Sequence, residues 1–302
     1  MSTGFKSIAV AGAQGSIGKA VLQGLTSTPG VSVLVLTRKT TPRPEWLPQE
    51  VAHAGVDYDD VEGTAAVLRE HKVEVVVFPG SGILQQIPLA DAAKAAGVQL
   101  FVPSEYGTVD QAFTLEEAPE FLAPKVKVAQ HLEAIGLPSV RVYTGAFHDF
   151  ALPLVGYTVN KKVNILKGLK GDTPMSITHT NDIGGKPAHL FNEAVAHPTP
   201  GFIAYVVTHY PLSDLAFKSF RIEGGHLSFN QLAALLNAPV EHVDEIPSNF
   251  YDKTFLAHAQ TFVERGLLNT ETKVCEGDGA GGANHLWKGH KWTTVKECLN
   301  LQ

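Results

Sequence analysis

The sequence predicts an α/β protein built on a doubly wound parallel sheet, with a smaller C-terminal lobe. Three observations predict it. Short β-branched runs alternate with helical patterns over the first 150 residues, a glycine triplet separates the first run from the first helix, and the alternation stops beyond Phe150. Strands that alternate with helices pair in parallel through right-handed crossovers, which leaves a sheet covered on both faces.

SIAVAGA, residues 7–13, reads as the first strand and is followed by a helix from about Ser16 to Leu25. VSVLVLT is a second strand, followed by a polar, Pro-containing loop. VEVVVFPG leads to a helix around LADAAKAAG, and VQLFVPSEYG to a helix beginning near Pro124. SVRVYTGAF then returns as a strand. Residues 151–175 show no clear period, and residues 195–222 read as strands and loops. In HLSFNQLAALL, Ser228 with Gln231 three residues on forms a capping-box start for an amphipathic helix. The expected division is a nucleotide-binding domain over residues 1–150 and a smaller substrate lobe over 151–302, with segments returning to the first. GDGAGGANH, residues 277–285, follows no strand and reads as a surface loop.

Composition narrows the ligand. The 302 residues are 44% apolar and 18% charged, with a net charge of −6, which disfavours nucleic acid and anionic membranes and leaves a small molecule as the expected partner. An oligomer is compatible with the sequence. Cys275 and Cys298 are too few for a disulfide framework, and no stretch approaches a bilayer span, so a cytoplasmic protein is expected. His148 and the pair His285 and His290 lack an accompanying carboxylate or Cys pattern, so no metal is expected.

GAQGSIG carries the strongest local signal. Gly12, Gly15 and Gly18 let the chain turn sharply, bring backbone N–H groups to a pyrophosphate, and pack helix on strand. With Gln14, Ser16 and Ile17 they place phosphate at a helix N-terminus, the arrangement of a Rossmann-type domain. About 20 residues on, where an NAD-binding fold puts a carboxylate on the ribose, the second strand ends in LTRK. Arg38 can hold a 2′-phosphate bidentately and Lys39 adds charge, so the expected cofactor is NADP(H). Gly80, in PGSG after VEVVVF, is a further candidate for close approach to the cofactor, and a plain turn explains it too.

The catalytic base is less obvious. In VPSEYGTVDQAF, Tyr106 is followed four residues later by Asp110, where a short-chain reductase would carry Lys. The helix APKVKVAQHLEAIG offers two lysines. At about 100° per residue, Val128, Ala129, Leu132 and Ile135 define its apolar stripe; Lys125 falls within that stripe and Lys127 opposite it. Partial burial at the positive end of a helix dipole favours the neutral amine, which suits a general base. A stem lying along the sheet with its amine reaching water fits the same pattern. Tyr106 either hydrogen-bonds substrate or packs, Phe147 and Phe150 either line an aromatic site or belong to the core, and His148 is a second route for proton transfer.

Several segments together resemble the NmrA-like, isoflavone-reductase-like branch of the atypical short-chain dehydrogenases. They are GAQGSIG, QIPLADAAKAAG into LFVPSEYG, PKVKVAQHLEAIGLPSVRVYTGAF, GGHLSFNQLAALL and KWTTVKECL, in the family's order across nearly the whole chain. The resemblance implies NADPH-dependent reduction of a small aromatic or conjugated carbonyl- or ether-type compound by hydride transfer. It places the catalytic lysine at Lys125, as general base or oxyanion stabiliser beside the nicotinamide, and Thr144 at the cofactor. Gln14, Ala129, Gln130 and Gly145 depart from the plant members' Thr, paired Arg and Asn. The same family contains NADP-binding redox sensors that regulate other proteins without turnover, which is the alternative expectation.

Overall fold

The computed structural model describes residues 4–185, 201–271 and 282–300. The chain divides into two compact units. Unit 1 comprises Met1–Glu105, Phe113–Val142 and Thr180–Phe220; unit 2 comprises Tyr106–Ala112, Tyr143–His179 and Arg221–Gln302. Cys275 and residues 277–281 of the glycine-rich tract lie outside the described residues.

In unit 1, β1 (Ser7–Ala11) leads to α1 (Ser16–Thr26), β2 (Ser32–Arg38) to β3 (Ala52–Val56) and α2 (Val61–Glu70). Then come β4 (Val75–Val77), α3 (Gln86–Ala96), β5 (Leu100–Val102), α4 (Ala123–Ala134) and β6 (Val140–Tyr143). Five strands form one parallel sheet in the order β3-β2-β1-β4-β5. The segment before β6 joins β5 through a single parallel bridge, Phe101 with Ser139, and β6 itself pairs with Lys218–Arg221. Alternation along β1 splits the core. Ala9 and Ala11 face one side with Leu34, Leu36 and Val76, against Leu68 of α2, Leu89 of α3 and Leu132 of α4. On α1, a Cβ added to Gly24 would meet Gly184 O at 2.9 Å and Ala204 Cβ at 3.0 Å, so small residues let the returning helices Thr180–Gly184 and Phe202–His209 seat closely on it.

Two expectations are corrected here. The loop expected after β2 contains β3 and α2. AHAGV has one β-branched residue and little apolar patterning; its pairing comes from β2, with Leu34 opposite Ala52 and Arg38 opposite Val56. For α2, Asp60 caps the helix by accepting from Gly63 N at 2.9 Å. Strands and loops were expected over residues 195–222, yet FIAYVVTH is a helix. Its β-branched and aromatic residues favour extended structure alone, and burial of Phe202, Ile203, Val206 and Val207 overrides that preference. The fourth helix begins at Ala123, beside the expected start near Pro124, which stands second in it.

Unit 2 holds a three-stranded sheet in which Met175–Thr178 lies between Gly225–Leu227 and Ala146–Phe147, and a parallel pair, Val163–Leu166 with Val240–Val243. The expected capping box forms: Ser228 accepts from Gln231 N, and Gln231 Oε1 accepts from Ser228 N. Asp110, which stands where a short-chain reductase has lysine, is buried and accepts from the Tyr143 hydroxyl. Gln260 is fully buried on helix Lys253–Glu264. Its Nε2 donates to Leu154 O at 3.0 Å and Asn164 O at 2.9 Å, and its Oε1 accepts from Leu166 N at 2.9 Å. No helix among the described residues is long and apolar enough to cross a membrane.

Gln260→Leu removes the partner of three backbone groups, two of them buried, and should cost about 3 kcal/mol, read as a lower denaturation midpoint; an unshifted midpoint rejects its anchoring role. The hydrogen bond from His226 to Glu223, at 3.0 Å, holds the imidazole pKa above its ordinary value. A raised folded-state pKa stabilises fully below the unfolded value of about 6.5 and the contribution fades as pH rises through the folded one. His226→Ala should therefore lower the melting temperature at about pH 5.5 and much less at about pH 8.5; equal losses at both would remove the charged pair as the cause.

Candidate functional site

In unit 1 the candidate residues collect at the carboxyl edge of the parallel sheet, where the chain switches from the β2 side of β1 to the β4 side. Loops diverge at such a switch and leave a crevice. Gly12 follows β1 with φ +94, a conformation that favours glycine. A Cβ there would lie 2.8 Å from Gly80 Cα, and one on Gly18 would lie 2.2 Å from Gly12 O. At Gly15 the nearest atom is Gly12 O at 3.9 Å, so nothing in the chain crowds that position. Gln14, Gly15 and Ser16 are exposed, while Ile17 and Gly18 are buried. Gly15 is the N-cap of α1, with no side-chain cap and no acid in the first turn. Bare N–H groups at the positive end of a helix, facing open space across glycine, fit a pyrophosphate.

Arg38 ends β2, and both it and Lys39 are exposed. Lys39 N donates to Val56 O at 2.8 Å, which fixes the backbone turn beyond β2. The Arg38 guanidinium donates to Gln85 Oε1 at 3.2 Å. It also stands near Tyr58, whose hydroxyl is pushed up to about 12 by burial while the Arg38 charge pulls it the other way. Gln85 and Tyr58 carry no motif, and nothing in the sequence pointed to either.

Lys125 and Lys127 separate as the helical period predicts, with Lys125 half-buried and Lys127 exposed. The Lys125 amine donates to the backbone carbonyl of Glu105, on the segment that follows β5. That segment is pinned in turn: Ser104 N donates to Gln86 Oε1 at 2.9 Å, and Gln86 Nε2 donates to Ile83 O at 3.1 Å. An ammonium has three donors and the Glu105 bond takes one, so the amine is oriented and still able to reach a second partner.

The remaining candidates belong to unit 2. Tyr106 is nearly buried, and Thr144 is fully buried, its carbonyl accepting from Thr178 Oγ1 at 2.7 Å. Phe147 is half-buried. Phe150 packs edge-on against Tyr251 at 5.0 Å and lies 5.7 Å from Phe255, so it belongs to an aromatic group that the sequence did not reveal. His148 stacks on His179 at 3.9 Å. Glu223, His226 and Glu271 bring possible ligand atoms within 4.8 Å of one another. Glu223 already accepts from Ser176 and pairs with His226, so hydrogen bonding accounts for its orientation.

Comparison with known proteins agrees with this architecture. The phenylcoumaran benzylic ether reductase IRL1 of Ginkgo biloba is 27% identical over 318 residues, covering 97% of both chains. The isoflavone reductase homolog IRL of Zea mays is 31% identical over 253 residues, covering 80% of this chain and 78% of that one. Among solved structures, the binary complex of leucoanthocyanidin reductase with NADPH from Vitis vinifera superposes with a TM-score of 0.72 at 18% identity, covering 97% of this chain and 98% of that one. That likeness shows the fold, a parallel-sheet α/β architecture of the Rossmann type. The model of the NmrA-like family matches residues 5–299, and with the maize relative this shows that the chain belongs to the NmrA-like family.

Proposed function

We propose that the chain is an NADPH-dependent oxidoreductase that reduces a small aromatic or conjugated carbonyl- or ether-type compound. The observation that carries this reading is the half-buried Lys125 amine held by the Glu105 carbonyl, at the sheet edge that also bears the open glycine loop. The named activities of the Ginkgo and Vitis reductases support the reaction class and the cofactor.

The residues divide the work by their chemistry. Gly12, Gly15 and Gly18, with the first-turn N–H groups of α1, hold the pyrophosphate. Arg38 and Lys39 hold the 2′-phosphate, and Gly80 gives the cofactor room beside Gly12. Bound NADPH supplies the hydride. Lys125, oriented by Glu105, takes the proton of a substrate phenol, or as an ammonium stabilises the oxyanion that develops as hydride reaches carbon and returns a proton to that oxygen. For Tyr106, Phe147 and Phe150 the proposed role is contact with an aromatic substrate, supported at Phe150 by its aromatic neighbours. The role of Thr144 at the cofactor rests on the family resemblance.

Nicotinamide absorbance, followed while phenolic, ketone and enone compounds are screened, tests the enzyme reading. NADP+ binding without any turnover would favour a regulator instead. With a substrate in hand, Lys125→Ala should lower kcat by about 10²–10⁴-fold while NADPH affinity stays near the parent's; an intact chemical step would remove Lys125 from the mechanism. Arg38→Asp should invert the NADP+ to NAD+ affinity ratio, and an unchanged ratio would defeat the 2′-phosphate assignment.

A further inference from the structure

Arg38 is exposed at the end of β2, and an exposed arginine samples many rotamers that a phosphate would have to select from. In this chain it does not hang free. Its guanidinium donates to the side-chain oxygen of Gln85, at 3.2 Å, from the far side of the glycine loop. Gln85 closes the single 3-10 turn Ile83–Gln85 in the connection after β4, and it is half-buried. An arginine only donates, so the amide oxygen must be the atom that faces it. The connection is shaped to allow this reach. A Cβ added to Gly82 would lie 2.4 Å from Gln85 Oε1, so the missing side chain at Gly82 is what leaves room for the amide.

The chemistry of the partner matters as much as its position. A carboxylate at residue 85 would neutralise Arg38 and repel a phosphate beside it. A glutamine offers one neutral acceptor, which uses one of five guanidinium donors and leaves the positive charge and a bidentate edge for an anion. Burial also keeps the nearby Tyr58 hydroxyl protonated, so it brings no competing negative charge to Arg38. The groups that Arg38 acts on here are neutral, and its charge is left for a ligand.

We propose that Gln85 is a positioning residue for cofactor selection: it holds the Arg38 guanidinium in the orientation that receives a ribose 2′-phosphate. This rests on the reading of Arg38 given above. Gln85 acts through Arg38 and touches the adenosine 2′-phosphate only indirectly, so its effect is confined to ligands that carry that group.

Calorimetric titration of the whole chain with NADP+, NAD+ and 2′,5′-ADP tests the proposal on the parent protein, Gln85→Ala, Gln85→Glu, Arg38→Ala and the Arg38→Ala/Gln85→Ala pair. Gln85→Ala should weaken NADP+ and 2′,5′-ADP by about threefold to tenfold, with NAD+ unchanged. Gln85→Glu should weaken them further, because its carboxylate takes the guanidinium for itself. In the Arg38→Ala background, Gln85→Ala should add nothing, since the group it orients is gone. Equal losses for NADP+ and NAD+ would mark Gln85 as merely structural and overturn the proposal. A Gln85→Ala variant with an unchanged NADP+ to NAD+ ratio would overturn it too, leaving the Arg38 reading intact if Arg38→Ala collapses that ratio. If Arg38→Ala leaves the ratio unchanged, the Arg38 reading fails and the role of Gln85 with it.

Discussion

The loops that follow β1 and β4 approach backbone to backbone, and the rest of the unit 1 site depends on that approach. Gly12 and Gly80 lie so close that a Cβ added to Gly12 would come within 2.8 Å of the Gly80 Cα. The adjacency of β1 and β4 in the sheet brings the two loops together, and the absence of side chains lets them close. One loop then delivers α1 with its uncapped N-terminus, and the other continues through Gly82 to Gln85. The proposed phosphate cradle and the orientation of Arg38 thus share one contact. A side chain at Gly12 would force the two loops apart, and one at Gly80 would collide with the Phe78 ring at 2.9 Å.

What was legible in the sequence was local. The glycine triplet names its own backbone requirement, the capping box at Ser228 and Gln231 spans only four residues, and the opposite exposure of Lys125 and Lys127 follows from the helical period alone. The misses were set by distant partners. AHAGV becomes a strand because β2 offers an edge, and FIAYVVTH becomes a helix because its apolar residues are buried, with Ala204 seated at Gly24 of α1. Gln85 belongs to the same class. Its meaning lies in a guanidinium 47 positions earlier in the chain, and a lone glutamine carries no pattern that could announce this.

Tyr106 and Asp110 illustrate how a familiar spacing changes meaning when one residue type changes. A lysine at position 110 would carry its charge toward the tyrosine in the usual reductase pair. Here position 110 is a buried carboxylate engaged with Tyr143, so it braces the segment that bears Tyr106. The lysine proposed for the chemistry lies one element later, at Lys125, and its amine is anchored by a backbone carbonyl, which no substitution can remove directly. Such an anchor depends on the course of the chain after β5, and the buried Gln86 amide holds that course in place.

The order in which the chain visits its two units carries a consequence for how the protein is made. Unit 1 is left at Val142 and is not completed until Phe220. The helices Thr180–Gly184 and Phe202–His209, which pack on α1, are therefore synthesised well after the five-stranded sheet and α1. During that interval a growing chain carries an apolar helix face with no permanent cover, and long-range closure of this kind is slow. A nascent polypeptide of this design has a window of vulnerability to aggregation and proteolysis that ends only with the late return. Cutting the gene at the end of β6 would make that window permanent.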